Sequence, residues 1–171
     1  EGSIWWQIYQ SNEFIIQAFR FANKYMPAEI DLYYNDYGEC GVKKSAGIAQ
    51  LLRDVKAAEG TRIDGMGMQA HYTTMQESAS DFEKAVRTYA GIVDKVQITE
   101  WDVANSKTAI PTEKGIQQEY LKQAEYYHSF YERIQKLRAE GINFTGITFW
   151  GVIDQNSWLQ DRYPTTQYPL L

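Results

Sequence analysis

The feature that most constrains the fold is an alternation of helix-like and strand-like hydrophobic patterns along the chain. Apolar residues recur every three or four positions in four segments, which predicts helices. Four short segments rich in aromatic, β-branched or glycine residues separate them, which predicts strands. The predicted helices cover residues 4–25, 43–59, 80–91 and 112–141, and the predicted strands cover residues 31–37, 63–71, 95–101 and 144–150.

Local signals set several of these boundaries. Gly60 and Gly141 follow the last periodic residues of the second and fourth helices, where glycine commonly ends a helix. Ser80 with Glu83 three residues later is typical of a capping box and predicts the start of the third helix. Thr112 or a neighbour is predicted to start the fourth.

Strands that alternate with helices favour parallel pairing with right-handed helical crossovers. Two architectures remain open at this point, an open doubly wound sheet and part of a (β/α)₈ barrel. In both architectures, functional residues collect at the carboxyl ends of the strands.

The four predicted strand ends are all polar or aromatic. They read Tyr-Asn-Asp-Tyr at 34–37, Gln-Ala-His at 69–71, Glu-Trp-Asp at 100–102 and Trp-Gly at 150–151. A nucleotide-binding doubly wound fold would instead have a glycine-rich loop after its first strand. Gly65 and Gly67 form only a short G-M-G pattern inside a strand, so the nucleotide interpretation is weak.

Side-chain alternation predicts which strand-end residues share a face. Gln69 and His71 share one face of the second strand with the two glycines, and Trp150 shares a face of the fourth strand with Thr148. On the third strand, Glu100 and Asp102 are expected on the face of Val96 and Ile98. A carboxylate, an imidazole and a second carboxylate at neighbouring strand ends would form one hydrogen-bonded set in which the acids orient the histidine.

Composition excludes several classes of protein. The 171 residues carry 17 Lys and Arg against 22 Asp and Glu, a net charge of −5, which argues against a nucleic-acid partner. No apolar run approaches membrane-spanning length. Cys40 is the single cysteine and cannot close an internal disulfide, and only two histidines exist, so no metal site and no cofactor are predicted.

Four of these motifs together carry a family resemblance. Residues 33–37, 69–71, 98–102 and 150–154, with Trp158 beyond them, are similar in sequence, order and spacing to glycoside hydrolase family 10, the retaining endo-β-1,4-xylanases. The Trp-Trp-Gln-Ile segment near the start is similar too, so the resemblance spans nearly the whole chain. One departure is Trp101, where the family usually has Leu; its side chain is expected to point away from Glu100.

The resemblance implies a role for each strand-end residue. Glu100 matches the catalytic nucleophile, His71 the histidine bonded to it, and Asp102 the acidic partner of that histidine. Gln69 matches a contact to the sugar at the cleaved position. The remaining substrate-binding candidates are two tryptophans that enclose the sugar on the non-reducing side and two residues on the leaving-group side: Trp150, Trp158, Asn35 and Tyr37.

The resemblance also implies a (β/α)₈ barrel of which this chain supplies roughly strands five to eight. A complete barrel typically needs about 250 residues. Residues 1–171 are accordingly expected to be the C-terminal half of a catalytic domain, without the N-terminal half and the last helix. The general acid/base, in an Asn-Glu pair after strand four, is expected outside this chain, and activity is expected only with the missing half as partner.

The implied substrate is xylan or xylo-oligosaccharide, and a polymeric substrate implies a secreted or cell-surface enzyme, although no signal peptide opens the sequence. Two alternatives stay open. Another retaining barrel glycosidase could act on cellulose or mixed β-glucan, and a non-catalytic carbohydrate-binding protein could use Trp150 and Trp158 as a platform for sugar rings.

Overall fold

The computed structural model describes residues 3–105, 112–163 and 165–170. Helices and strands alternate along it, as predicted. The helices are α1 (Ile4–Tyr9), α2 (Glu13–Tyr25), α3 (Val42–Ala57), α4 (Ala79–Ala90), α5 (Glu113–Ala139) and α6 (Leu159–Arg162). The strands are β1 (Tyr33–Asp36), β2 (Gly65–Met68), β3 (His71–Thr73), β4 (Lys95–Ala104) and β5 (Phe144–Phe149).

All four strand pairs in the described residues are parallel, and the order of the strands across the sheet follows their order in the sequence. The spatial order is β1, β2, β4, β5, and β3 continues the line of β2 along the same side of β4. A doubly wound sheet would reverse its strand order at a switch point. The uninterrupted order is that of consecutive strands in a (β/α)₈ barrel, so the barrel prediction is confirmed.

One face of the sheet is packed against the helices. Its buried core combines strand residues such as Met66, Met68 and Ile98 with helix residues such as Leu52 and Phe130, all at most 1% exposed. The opposite face, called the inner face here, carries mostly polar side chains that are partly or fully exposed: Tyr33, Asn35, Gln97, Thr99 and Thr145. The functional candidates lie at the carboxyl end of this inner face.

Two predicted elements are each interrupted by a residue with positive φ. The single helix predicted over 4–25 is two helices, because Gln10 adopts a left-handed conformation (φ 51°) that ends α1. The strand predicted over 63–71 is likewise split into β2 and β3 by Ala70 (φ 60°). Neither break carries the glycine that usually marks such a conformation.

The predicted cap of α4 was wrong by two residues. Ser78, not Ser80, caps the helix, and its hydroxyl accepts a hydrogen bond from the Asp81 N–H (3.1 Å). Both serines precede acidic residues at a suitable spacing, and the earlier one has the extended backbone that a cap requires. Thr112 caps α5 as predicted, by accepting from the Gly115 N–H.

In the described part of the chain, no helix combines the length and apolar character needed to cross a membrane.

Candidate active site

A cavity of about 540 Å³ opens at the carboxyl ends of the strands. Six of the eight predicted site residues line it, all except Glu100 and Asn35, together with residues of the segment that follows β5. The polar and aromatic lining consists of Tyr37, Gln69, His71, Tyr72, Thr73, Gln76, Asp102, Trp150, Trp158, Arg162 and Tyr163. The structure therefore gathers these side chains from four strand ends into one cleft.

Glu100, His71 and Asp102 form the hydrogen-bonded set that the strand order predicts. His71 Nδ1 lies 2.9 Å from Asp102 Oδ1, and His71 Nε2 lies 3.3 Å from Glu100 Oε2. The Asp102 side chain is fully buried, whereas 17% of the Glu100 side chain stays exposed. Of the two carboxylates in the set, Glu100 is the one that remains accessible from solvent.

The imidazole of His71 is held between two hydrogen-bond acceptors. A carboxylate can only accept, so bonding to both ring nitrogens at once requires the doubly protonated, cationic ring. Burial on its own lowers the pKa of His71, but the hydrogen bonds and negative charges of Asp102 and Glu100 outweigh it and leave the pKa raised.

Strand β4 has an irregularity that directs Glu100 to the inner face of the sheet. From Ile98↔Ile147 to Trp101↔Phe149, β4 advances three residues while β5 advances two, which is the count of a β-bulge. The predicted alternation was therefore wrong: Val96 and Ile98 are buried in the helix-side core, whereas Glu100 contacts the inner face. The extra residue restores Glu100 to the side where the other polar groups lie.

Trp101 points away from Glu100, as predicted. It is 2% exposed and packs in the helix-side core, stacked on Phe149 with ring centroids 5.6 Å apart and edge-on to Tyr127 at 4.7 Å.

Asn35 is the second hydrogen-bond donor to Glu100, which the sequence did not indicate. Its Nδ2 donates to Glu100 Oε1 (2.9 Å), and its Oδ1 accepts from the Thr99 hydroxyl (2.7 Å). The Thr99 bond fixes which end of the amide faces the carboxylate. Asn35 lies on β1 and Glu100 on β4, so the side chain must cross the intervening strand β2.

Gly67 makes that crossing possible. It is paired with Asn35 in the β1–β2 register, and a Cβ at position 67 would lie 2.7 Å from Asn35 Oδ1 and 3.0 Å from Thr99 Cγ2. No side chain fits there without displacing this contact. The G-M-G pattern that was weak evidence for a nucleotide site is thus explained by the close approach of neighbouring side chains.

Two tryptophans connect the polar set to the aromatic wall of the cleft. Trp158 Nε1 donates to Asp102 Oδ2 (2.7 Å), and its ring meets that of His71 edge-on at 5.0 Å. Trp150 is edge-on to His71 at 6.3 Å and 47% exposed. Exposed indole faces of this kind suit the C–H faces of sugar rings.

Gln69 and Tyr37 also line the cavity, the latter 64% exposed beside Lys44. Arg162, which the sequence did not single out, lines it too, with its guanidinium 5.2 Å from the Trp158 ring. It lies just past the last predicted motif, so no pattern marked it. Within the described residues, no group of three or more His, Cys, Asp or Glu side chains could hold a metal ion.

Comparisons with known proteins agree on one family. The protein-family model for glycosyl hydrolase family 10 matches residues 1–171 of this sequence. Endo-1,4-beta-xylanase B of Butyrivibrio fibrisolvens is 32% identical over 169 residues, which are 99% of this chain and 25% of the relative. The endo-1,4-beta-xylanase of Geobacillus stearothermophilus is 31% identical over an alignment that covers 100% of this chain and 53% of the relative.

Solved structures give the same picture. A psychrophilic family 10 endo-beta-1,4-xylanase superposes with a TM-score of 0.82 at 33% identity, covering 100% of this chain and 49% of that one. A family 10 structure from Paenibacillus barcinonensis gives 0.85 at 28% identity, covering 99% and 51%. The chain thus spans about half the length of these structures and of the Geobacillus relative.

Proposed function

Because the chain belongs to glycosyl hydrolase family 10, we propose that it supplies the nucleophile half of a retaining endo-β-1,4-xylanase. The whole of residues 1–171 would be the C-terminal half of the catalytic barrel, and an N-terminal half would be its partner. The observation that carries the proposal is the contact of Glu100 with two donors, Asn35 and His71, of which His71 lines an aromatic cleft.

The proposed reaction is a double displacement. A carboxylate oxygen of Glu100 attacks the anomeric carbon and forms a glycosyl ester while the bond to the leaving sugar breaks. The leaving oxygen takes a proton from a general acid, which we assign to the N-terminal half. Water then attacks the anomeric carbon, the same acid/base removes its proton, and Glu100 leaves as a free carboxylate.

The residues around Glu100 would prepare it for attack. Hydrogen bonds from Asn35 and from cationic His71 fix the direction of the carboxylate before substrate binds. Asp102, itself held by Trp158, keeps the imidazole oriented. Trp150, Trp158 and Gln69 would bind the sugars on the non-reducing side, with Tyr37 on the leaving-group side.

The test is Glu100→Gln in the complete catalytic domain. The amide has nearly the shape of the acid but is a poor nucleophile, so we expect hydrolysis of xylan to fall by a factor on the order of 10³ or more. The melting temperature, measured alongside, should stay near that of the wild type. Full activity in a folded Glu100→Gln enzyme would disprove the nucleophile assignment.

The two alternatives are less well supported. Family membership and xylanase relatives do not favour a non-catalytic sugar-binding protein, which would bind xylan without releasing reducing ends. A preference for cellulose or mixed β-glucan would appear as a higher initial rate on those oligosaccharides than on xylo-oligosaccharides. Secretion of the complete protein is part of the proposal, because polymeric xylan lies outside cells.

A further inference from the structure

Glu39 carries a carboxyl group that is completely buried and takes no part in the chemistry proposed above. Its Oε1 accepts two hydrogen bonds, from the Ala70 N–H (3.1 Å) and from the Tyr72 hydroxyl (2.7 Å). Its Oε2 has no hydrogen-bond partner among the described residues. Burying a carboxyl group without full hydrogen bonding costs free energy. A gain elsewhere in the structure or in its function must therefore offset that cost.

The residues around Glu39 hold it firmly in place. Its backbone carbonyl accepts from the Tyr89 hydroxyl (2.6 Å), and the neighbouring Cys40 Sγ lies 3.1 Å from the Tyr72 oxygen. Burial, the largest influence, raises the pKa of Glu39, although its hydrogen bonds with backbone N–H groups and Tyr72 act in the opposite direction. The hydrogen bonds fix the positions of the carboxyl group and of its partners.

The backbone that Glu39 binds is strained. Ala70 has φ 60°, a left-handed conformation that costs an L-residue about 1–2 kcal/mol. Its N–H points to Glu39, and its carbonyl accepts from the Asp102 N–H (3.4 Å). Both polar groups of this residue are therefore bonded outside a regular strand ladder.

The strained residue determines where His71 lies. Between the pairs Met68↔Ile98 and His71↔Asp102, the chain through Ala70 advances three residues and β4 advances four. The kink at Ala70 thus faces the bulge of β4, and the two irregularities together bring the His71 ring between Glu100 and Asp102. A regular strand through 68–71 would shift the histidine relative to both acids.

We propose that Glu39 is a positioning residue that holds the left-handed turn at Ala70 and so keeps His71 within hydrogen-bond distance of the nucleophile. The inference rests on the proposed role of Glu100. It assigns to Glu39 an effect on the rate of the reaction, exerted through Ala70 and His71 without contact with substrate.

The experiment compares four variants in the complete catalytic domain. Glu39→Met removes both acceptors, and Glu39→Gln keeps an acceptor oxygen for Ala70 and Tyr72. Glu39→Met combined with Ala70→Gly makes the left-handed turn favourable without the carboxyl group, because glycine adopts positive φ readily. Asp64→Leu is the matched control, since Asp64 also accepts from a backbone N–H, that of Leu32, at the other end of the sheet.

We expect Glu39→Met to lower kcat roughly 10-fold to 100-fold with little change in KM, because small displacements of catalytic groups have effects of that size. Glu39→Gln should keep most of kcat, and the double variant should recover much of the loss. Asp64→Leu should lower the melting temperature without a specific loss of kcat. If Glu39→Met does not fold, a folded double variant with near wild-type kcat still supports the proposal.

A second readout does not depend on turnover. The pKa of His71, followed by NMR titration, should fall in Glu39→Met and return in the double variant, because the imidazole leaves and regains its two carboxylates. If the wild-type domain does not hydrolyse xylan but the variants show this titration pattern, only the proposed function is refuted. The positioning role would be overturned by an unchanged kcat and His71 pKa in folded Glu39→Met, by a strongly impaired Glu39→Gln, or by a folded double variant without recovery.

Discussion

The two ends of the sheet use carboxylates in different ways. At the amino end, Asp64 accepts from the Leu32 N–H (2.7 Å) and forms an ion pair with Arg62, and Asp31 pairs with Lys95 at 2.6 Å. At the carboxyl end, Glu100 and Asp102 share the single imidazole of His71.

The difference concerns how the negative charge is balanced. Asp64 and Asp31 each have a cation of their own, Arg62 and Lys95, which balances the negative charge. Within the described residues, Glu100 and Asp102 have no Lys or Arg partner and are balanced by one imidazole and by neutral donors. In barrel enzymes generally, the carboxyl end of the strands carries the reactive groups and the amino end contributes to stability.

The largest expected effect comes from breaking the shared imidazole at its buried side. Asp102→Asn replaces an acceptor of the His71 and Trp158 N–H groups by an amide that can face His71 with its own donor. We expect kcat on xylo-oligosaccharides to fall roughly 10²-fold or more in the complete domain, because the ring loses its orienting acid. A folded variant that keeps kcat within about threefold of the wild type would contradict this role.

An intermediate effect is expected from pH, acting through His71. Its pKa is raised above the ordinary value of 6.5, so the folded state binds the proton more tightly than the unfolded chain. The stabilisation is fully present below the ordinary pKa and is lost as pH rises through the raised pKa. Urea unfolding should therefore show a free-energy advantage of wild type over His71→Gln that shrinks as the solution becomes alkaline; a constant difference across this range would contradict the linkage.

The smallest effect is expected at the amino end. Asp64→Asn keeps an acceptor for the Leu32 N–H but removes the charge opposite Arg62. We expect a loss of about 1 kcal/mol in the free energy of unfolding, the usual size for a partly exposed charged hydrogen bond, and no change in kcat. Thermal unfolding and steady-state kinetics on the same preparation measure both; a large loss of kcat would remove the distinction between the two ends.

The sequence was sufficient for the order of elements and for the residues that meet in the cleft. Hydrophobic periodicity located the four strand segments, although the structure divides one of them into β2 and β3, and the parallel arrangement brought Glu100, His71 and Asp102 together. This success has a physical reason: burial against helices fixes which segments are strands, and consecutive parallel strands align their carboxyl ends.

The irregularities escaped prediction because their causes are tertiary. Nothing local marks Ala70 for a left-handed turn; its conformation is held by Glu39, which is 31 residues away in sequence. The bulge that directs Glu100 likewise depends on pairing with β5. The alternation rule failed for Glu100, because the bulge places two consecutive residues, Thr99 and Glu100, on the inner face.

Gly67 has a consequence for how this site can change in evolution. Positions 35, 67 and 99 occupy one shared volume, because a Cβ on residue 67 would collide with Asn35 and crowd Thr99. A larger residue at 67 is acceptable only if the residue at 35 becomes shorter or turns away, and the nucleophile then loses a donor. We expect these three positions to vary as a linked group, with the smallest of them restricting the other two.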